Sequence, residues 1–280
     1  MSTVTHQNAP TQSVEAGGIS YAYRRFGVSG GVPLLMLQHF RGNLDNWDPA
    51  LTDGLAASRE VILVDYAGVG SSTGTPAGTI AEMARQIIAF TEALDLPQID
   101  LLGFSIGGFV AQDIALVRPR LVRRLVLAGT GPMGAPGMHA WRSDIESHAR
   151  ATVNDGDDLL YIFFAHSETS QAKGREFLGR FLARTKDRDE ATGIAVRDAQ
   201  YDAIISWGIP DYSALQRLTG IGMPTLVIQG DNDLMIPTKG SYTLAGLIPD
   251  AQIHIYPDAA HAFLFQYPDD VAKDVNEFLG

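Results

Sequence analysis

Leu101-Leu102-Gly103-Phe104-Ser105-Ile106-Gly107-Gly108 is the stretch on which the fold turns. Gly103, Ser105 and Gly107 fit the pattern G-x-S-x-G. A serine in this pattern stands on a sharp strand-to-helix turn with strained backbone angles. Side chains two positions to either side would clash there, so glycine fills both places. The helix that follows points its positive N-terminal end at the serine, which favours a developing negative charge. The bare pattern is short and also fits a glycine-rich turn that opens a helix. Its flanks decide the matter. A buried strand, 99–102, leads in, and an apolar helix, 107–117, leads out. Ser105 is the candidate nucleophile.

The same alternation extends outward. Short apolar runs at 33–37, 61–64, 99–102, 125–128, 225–228 and 252–256 have strand length, and most are rich in Val, Ile and Leu. Such runs mark strands buried on both faces, as in parallel sheets. Helical stripes lie between them, at 79–94 and 107–117, with a last one at 269–279. Strands alternating with helices predict a mostly parallel α/β sheet flanked by helices. Before them, residues 14–26 read as two strands around Gly17-Gly18. The pattern breaks from 131 to 218, where helical stripes at 139–151, 159–166, 172–185 and 189–207 replace strands. Glycine- and proline-rich stretches bound this insertion. The predicted organisation is a polar tail (1–13), a core (14–130 and 219–280) and a helical insertion (131–218).

Bulk properties exclude several functions. The 280 residues are 45% hydrophobic and 19% charged, an ordinary globular composition that needs no staples. With no cysteine there is no disulfide, thiolate metal site or cysteine nucleophile. A net charge of −11 repels phosphate backbones and anionic lipid, so neither nucleic acid nor membrane is an expected partner. The polar N-terminus lacks the basic and apolar regions of a signal peptide, and a cytoplasmic location is expected. No apolar run approaches the roughly 20 residues of a membrane span. Neither metal-ligand spacing nor a G-x-G-x-x-G after a strand is present, so no metal or cofactor is expected.

A serine hydroxyl is a poor nucleophile at neutral pH and needs a base. In G-x-S-x-G sheets the partners follow in the order Ser, acid, His. Only His254 and His261 follow the plausible acids. His254 sits inside the run 252–256 and reads as a half-exposed strand residue. His261 lies in a loop just past that run, among small residues, where sites in parallel sheets form. It is the candidate base. For the acid, Gln229-Gly230-Asp231-Asn232-Asp233 follows the run 225–228. Asp231 suits binding of turn amides, while Asp233 reaches toward His261 and is preferred. The segment after the preceding strand, Ala128-Gly129-Thr130-Gly131, offers no carboxylate.

Taken in order, Gln38-His39-Phe40, Asp65-Tyr66-Ala67-Gly68-Val69-Gly70-Ser71-Ser72, Gly103-Phe104-Ser105-Ile106-Gly107, Gly230-Asp231-Asn232-Asp233 and Ala260-His261 resemble the α/β-hydrolase superfamily. The resemblance covers the chain after its tail and is strongest to the capped serine esterase, lactonase and non-haem haloperoxidase-like branch. It implies the α/β-hydrolase fold with the helical insertion as a cap. It also implies a serine hydrolase of carboxylic esters or lactones that works through an acyl-enzyme and needs no cofactor. The family's acid is the second aspartate of G-D-x-D, here Asp233. Its oxyanion hole takes the N–H after the nucleophile, here Ile106, and a second from the loop after the third strand. Phe40 replaces the glycine usual in that loop, so the second donor is Phe40 or Arg41, with Phe40 preferred. His39 and Asp65 are structural in resembling proteins.

Insertion aromatics suggest an apolar pocket over Ser105, with Arg41, Phe104, Trp141, Trp207 and Phe263 as candidate lining. The expected partner is a small apolar ester or lactone, and a homo-oligomer is left open. Two alternatives stand beside this reading. One is a cofactor-independent oxygenase or perhydrolase on the same fold, and the other is a non-enzymatic ligand-binding module.

Overall fold

The computed structural model describes residues 4–280. Its centre is an eight-stranded sheet in the order β1-β2-β4-β3-β5-β6-β7-β8. The strands are β1 (Gln12–Ala16), β2 (Ile19–Gly27), β3 (Leu34–Leu37), β4 (Glu60–Val64), β5 (Ile99–Phe104), β6 (Val122–Ala128), β7 (Thr225–Gly230) and β8 (Ala251–Tyr256). β1 and β2 form an antiparallel hairpin, which Gly17 and Gly18 turn with positive φ, and β2 runs antiparallel to β4. All remaining pairs are parallel. β3, β5 and β7 are buried along their whole length, as their continuous apolar sequence requires.

Helices α1 (Pro49–Ala56), α2 (Ile80–Ala93), α3 (Ile106–Val117), α8 (Lys239–Leu247), α9 (Phe263–Gln266) and α10 (Pro268–Leu279) accompany the sheet. Between β6 and β7 stand α4 (Ser143–Ala149), α5 (Gly156–Phe163), α6 (Glu168–Phe181) and α7 (Ile194–Trp207). The order in which successive strands are added to the sheet reverses between β3 and β5. The first connection from β3 steps to β4, and from β5 onward every step goes the other way. Loops leaving two such strands diverge and open a crevice at their carboxyl ends.

The structure departs from the sequence reading in three places. Residues 1–3 lie outside the described residues, but part of the remaining predicted tail is held against the core, and its last two residues begin β1. His6 and Ala9 are buried, and the Arg184 guanidinium donates to the carbonyls of His6, Gln7 and Ala9. Helices α1, α8 and α9 occupy segments with no predicted element. α1 makes about two turns, started by the Asp48 side chain and Pro49 rather than by a long stripe. The helix predicted from 189 begins only at Ile194. Upstream, Asp189 is held away from helical geometry, because its N–H donates to Asp45 and its carboxylate accepts from Ser71.

Candidate active site

Ser105 closes β5 and opens α3, with φ 58° and ψ −122°. Strain of this kind persists only where neighbours over-determine it. Here the Ser105 N–H donates to Ala128 O at 2.9 Å. Its carbonyl accepts from Gly108 N–H and from the Thr130 hydroxyl, each at 2.9 Å. The turn brings backbone so close that a Cβ on Gly103 would stand 2.3 Å from Gly107 O. The two motif glycines are thus explained by contact.

Ser105 Oγ lies 2.9 Å from His261 Nε2, and His261 Nδ1 lies 2.7 Å from Asp233 Oδ2. All three side chains are buried. A carboxylate only accepts, so Nδ1 carries the hydrogen toward Asp233 and Nε2 is left to accept the serine proton. Asp233 is itself fixed. Its Oδ1 accepts the N–H groups of Met235 and Ile236 at 2.8 and 2.9 Å, and Oδ2 accepts from Gln229 Nε2 at 3.2 Å. Asp231 instead caps the next loop by accepting Ala259 N–H. His254 sits on β8, half exposed, paired with Asp274.

The loop after β3 faces this group. Arg41 N–H donates to Gln200 Oε1 at 2.7 Å, whereas the Phe40 N–H has no partner among the described residues. Ile106, at the first position of α3, has no carbonyl of its own helix to reach. His39 Nδ1–H donates to Phe40 O at 2.8 Å. Burial pushes the His39 pKa down to about 3, so its imidazole is neutral and serves to shape the loop. Asp65 accepts Leu44 N–H at 2.9 Å and is likewise buried away from Ser105's partners.

A cavity of about 540 Å³ opens over Ser105 and His261. Of the predicted lining, only Arg41 belongs to it. Phe104 stacks obliquely behind His261, 5.1 Å between ring centres. Trp141 packs on Phe40 and donates to Met235 O. Trp207 stacks on Phe109 and donates to Gly131 O, and Phe263 stacks on Tyr256. These four are supports: each packs against another ring and none of them lines the cavity. The walls come instead from Leu159, Ile162 and Phe163 of α5, Leu178 and Phe181 of α6, and Met235. A polar side carries Asn43, Asn46, Arg188, Asp189 and Thr192. Phe163 and Phe181 are among the insertion aromatics from which lining was expected, whereas Leu159, Ile162, Leu178 and Met235 were not legible as lining, since the stripe that faces the cavity also reads as a packing stripe. Thr130 was missed as the clamp on the Ser105 carbonyl for the same kind of reason: nothing local marks its contact.

Known proteins share this arrangement of the chain. A solved α/β-hydrolase fold protein from Chitinophaga pinensis is 40% identical, with 99% of each chain covered and a TM-score of 0.92. The structure of Est816, an N-acyl homoserine lactone degrading enzyme, is 26% identical over 95% of this chain and 100% of that one, with a TM-score of 0.74. The 2-hydroxymuconate semialdehyde hydrolase of Pseudomonas putida is 28% identical over 296 residues, 97% of each chain. The model of the alpha/beta hydrolase fold family matches residues 32–268, and the chain belongs to that family.

Proposed function

We propose that the chain is a serine hydrolase that cleaves a carboxylic ester or lactone through an acyl-enzyme. The observation that carries this is the continuous relay from Asp233 through His261 to Ser105, at 2.7 and 2.9 Å. His261 takes the Ser105 proton as Oγ attacks the substrate carbonyl. Asp233 holds the imidazole in the required tautomer and balances its positive charge. The Phe40 and Ile106 N–H groups receive the charge that appears on the carbonyl oxygen of the tetrahedral intermediate. His261 then gives its proton to the leaving alkoxide, and water repeats the sequence to free Ser105.

The α4–α7 segment acts as a cap, and its apolar wall selects an apolar acyl or lactone portion. The polar side of the cavity accommodates the ring or alcohol oxygen. The likeness to a lactone-degrading enzyme supports a lactone arm in the test, and the likeness to a 2-hydroxymuconate semialdehyde hydrolase keeps that compound in the panel. The test is turnover of an ester, lactone and semialdehyde panel by wild type and Ser105→Ala, with fluorophosphonate labelling of Ser105. Loss of turnover in the variant, together with labelling of the wild type, is expected. Equal turnover by the two proteins would overturn the mechanism.

A further inference from the structure

Arg41 is held through its N–H, its carbonyl and both guanidinium Nη atoms by the segment between β6 and β7. Its N–H donates to Gln200 Oε1 at 2.7 Å. Its carbonyl accepts from Thr192 Oγ1 at 2.6 Å. Its guanidinium donates to the carbonyls of Ala149, Ala151, Thr152 and Thr192. The residue holds φ 63°, a left-handed conformation that costs a non-glycine residue energy unless neighbours impose it. Gln200 is buried on α7, and its amide oxygen is the acceptor of the Arg41 N–H.

The peptide between Phe40 and Arg41 is gripped at both ends. His39 Nδ1–H donates to its oxygen, and Gln200 accepts its N–H. That grip fixes the peptide on the carboxyl side of Phe40 and so restrains the chain next to the Phe40 N–H. It also takes the Arg41 N–H out of competition as an oxyanion donor. We propose that Gln200 is a positioning residue for acyl transfer at Ser105, locking the Phe40–Arg41 peptide so that the Phe40 N–H faces the oxyanion. The α4–α7 segment then completes the oxyanion hole as well as covering the cavity. This inference rests on the acyl-transfer reading of the site.

The test compares wild type with Gln200→Met, which keeps length and loses the strong acceptor, and with Gln200→Glu, which keeps it. Deleting one oxyanion donor outright costs about 10²–10³ in rate. Misaiming one is expected to cost less, so Gln200→Met should lose about 10- to 100-fold in kcat with KM within twofold. Its inhibition constant for a trifluoromethyl ketone should rise by the same factor. That inhibitor adds Ser105 Oγ to its carbonyl, leaving the oxyanion in the hole. Gln200→Glu should retain more kcat than Gln200→Met. Should Gln200→Met fail to fold, Thr192→Val, at the cavity rim, removes the grip on the Arg41 carbonyl and should show a smaller loss of the same pattern. Unchanged kcat and inhibitor affinity would overturn the proposal, and so would a loss confined to KM. Ser105→Ala serves as the control arm. If it turns over substrate, the acyl-transfer reading fails. If it is inactive while the Gln200 and Thr192 variants behave as wild type, the positioning role alone fails.

Discussion

Gly107 on α3 lies so near Leu37 at the end of β3 that a Cβ on it would stand 2.3 Å from the Leu37 carbonyl oxygen. The contact joins the two strand ends on which the site is built, since β3 leads to Phe40 and β5 leads to Ser105. Gly107→Ala must push backbone against backbone, which no rotamer change relieves. A loss of about 1–3 kcal/mol in stability is expected, the usual cost of overpacking. Urea unfolding measures it. A greater fractional loss in kcat than in folded protein is also expected, because the oxyanion loop moves with β3. A variant as stable and active as wild type would show that the contact yields freely.

Much of this was legible in the sequence because it is governed by local rules. Ser105 and Asp233 follow the buried strands β5 and β7, and His261 follows the edge strand β8; the carboxyl ends of parallel strands lie along one edge of the sheet. The glycines around Ser105 report steric contact directly. What was not legible depends on side chains that meet only after folding. Trp141 and Trp207 read as cavity walls from their size, yet each spends its ring on another aromatic and its N–H on a carbonyl. Arg24 reads as one polar member of an alternating strand, and nothing near it announces that Asp45 is its partner. Helix α1 escaped because two turns carry too little periodicity, although Asp48-Pro49 is a helix start.

Asp233→Asn tests the acid of the relay. The amide oxygen is required by the N–H groups of Met235 and Ile236, so the amide nitrogen turns toward His261. It then donates to Nδ1, forces the hydrogen onto Nε2, and leaves no acceptor for the Ser105 proton. A fall in kcat of about 10⁴ is expected with the fold retained. Fluorophosphonate labelling of Ser105 should slow in parallel. Labelling at the wild-type rate would mean that Asp233 only shapes the loop.

Arg24 and Asp45 form a bidentate pair with bonds of 2.6 and 3.1 Å, both side chains almost wholly out of water. Arg24→Met leaves a carboxylate buried beside the loop that carries Asp189. Removing one partner of such a pair costs about 3–5 kcal/mol. Arg184, 3.6 Å from Asp45, moderates the loss toward the lower figure. Replacing both partners by apolar residues, as in Arg24→Met with Asp45→Leu, should recover part of it. Urea denaturation of the single and double variants measures both. A single variant within about 1 kcal/mol of wild type would show that Arg184 alone suffices.

Asp65 and Asp189 meet across Gly70, where a Cβ would lie 2.3 Å from Asp65 Oδ2 and 3.0 Å from Asp189 Cγ. Each has one buried oxygen without a partner among the described residues. Burial, with Asp189 beside it, raises the Asp65 pKa well above 3.8 despite the Leu44 N–H and the Arg24 charge, and Asp45 adds to the rise. The Asp189 pKa is raised too, by burial and by Asp45. A carboxyl raised in the fold keeps a proton that the unfolded chain has released. The folded state then binds more protons, and stability falls as pH climbs from the unfolded value toward the raised one. Asp65→Asn keeps an acceptor for Leu44 N–H and cannot ionise, so this contribution vanishes. Relative to wild type the variant should gain about 1.4 kcal/mol for each pH unit climbed within that window. Urea midpoints from pH 4 to pH 8 measure the difference, in which groups remote from Asp65 cancel while Asp189, which faces it, contributes. Parallel profiles for the two proteins would show that Asp65 ionises in the fold as freely as in the unfolded chain.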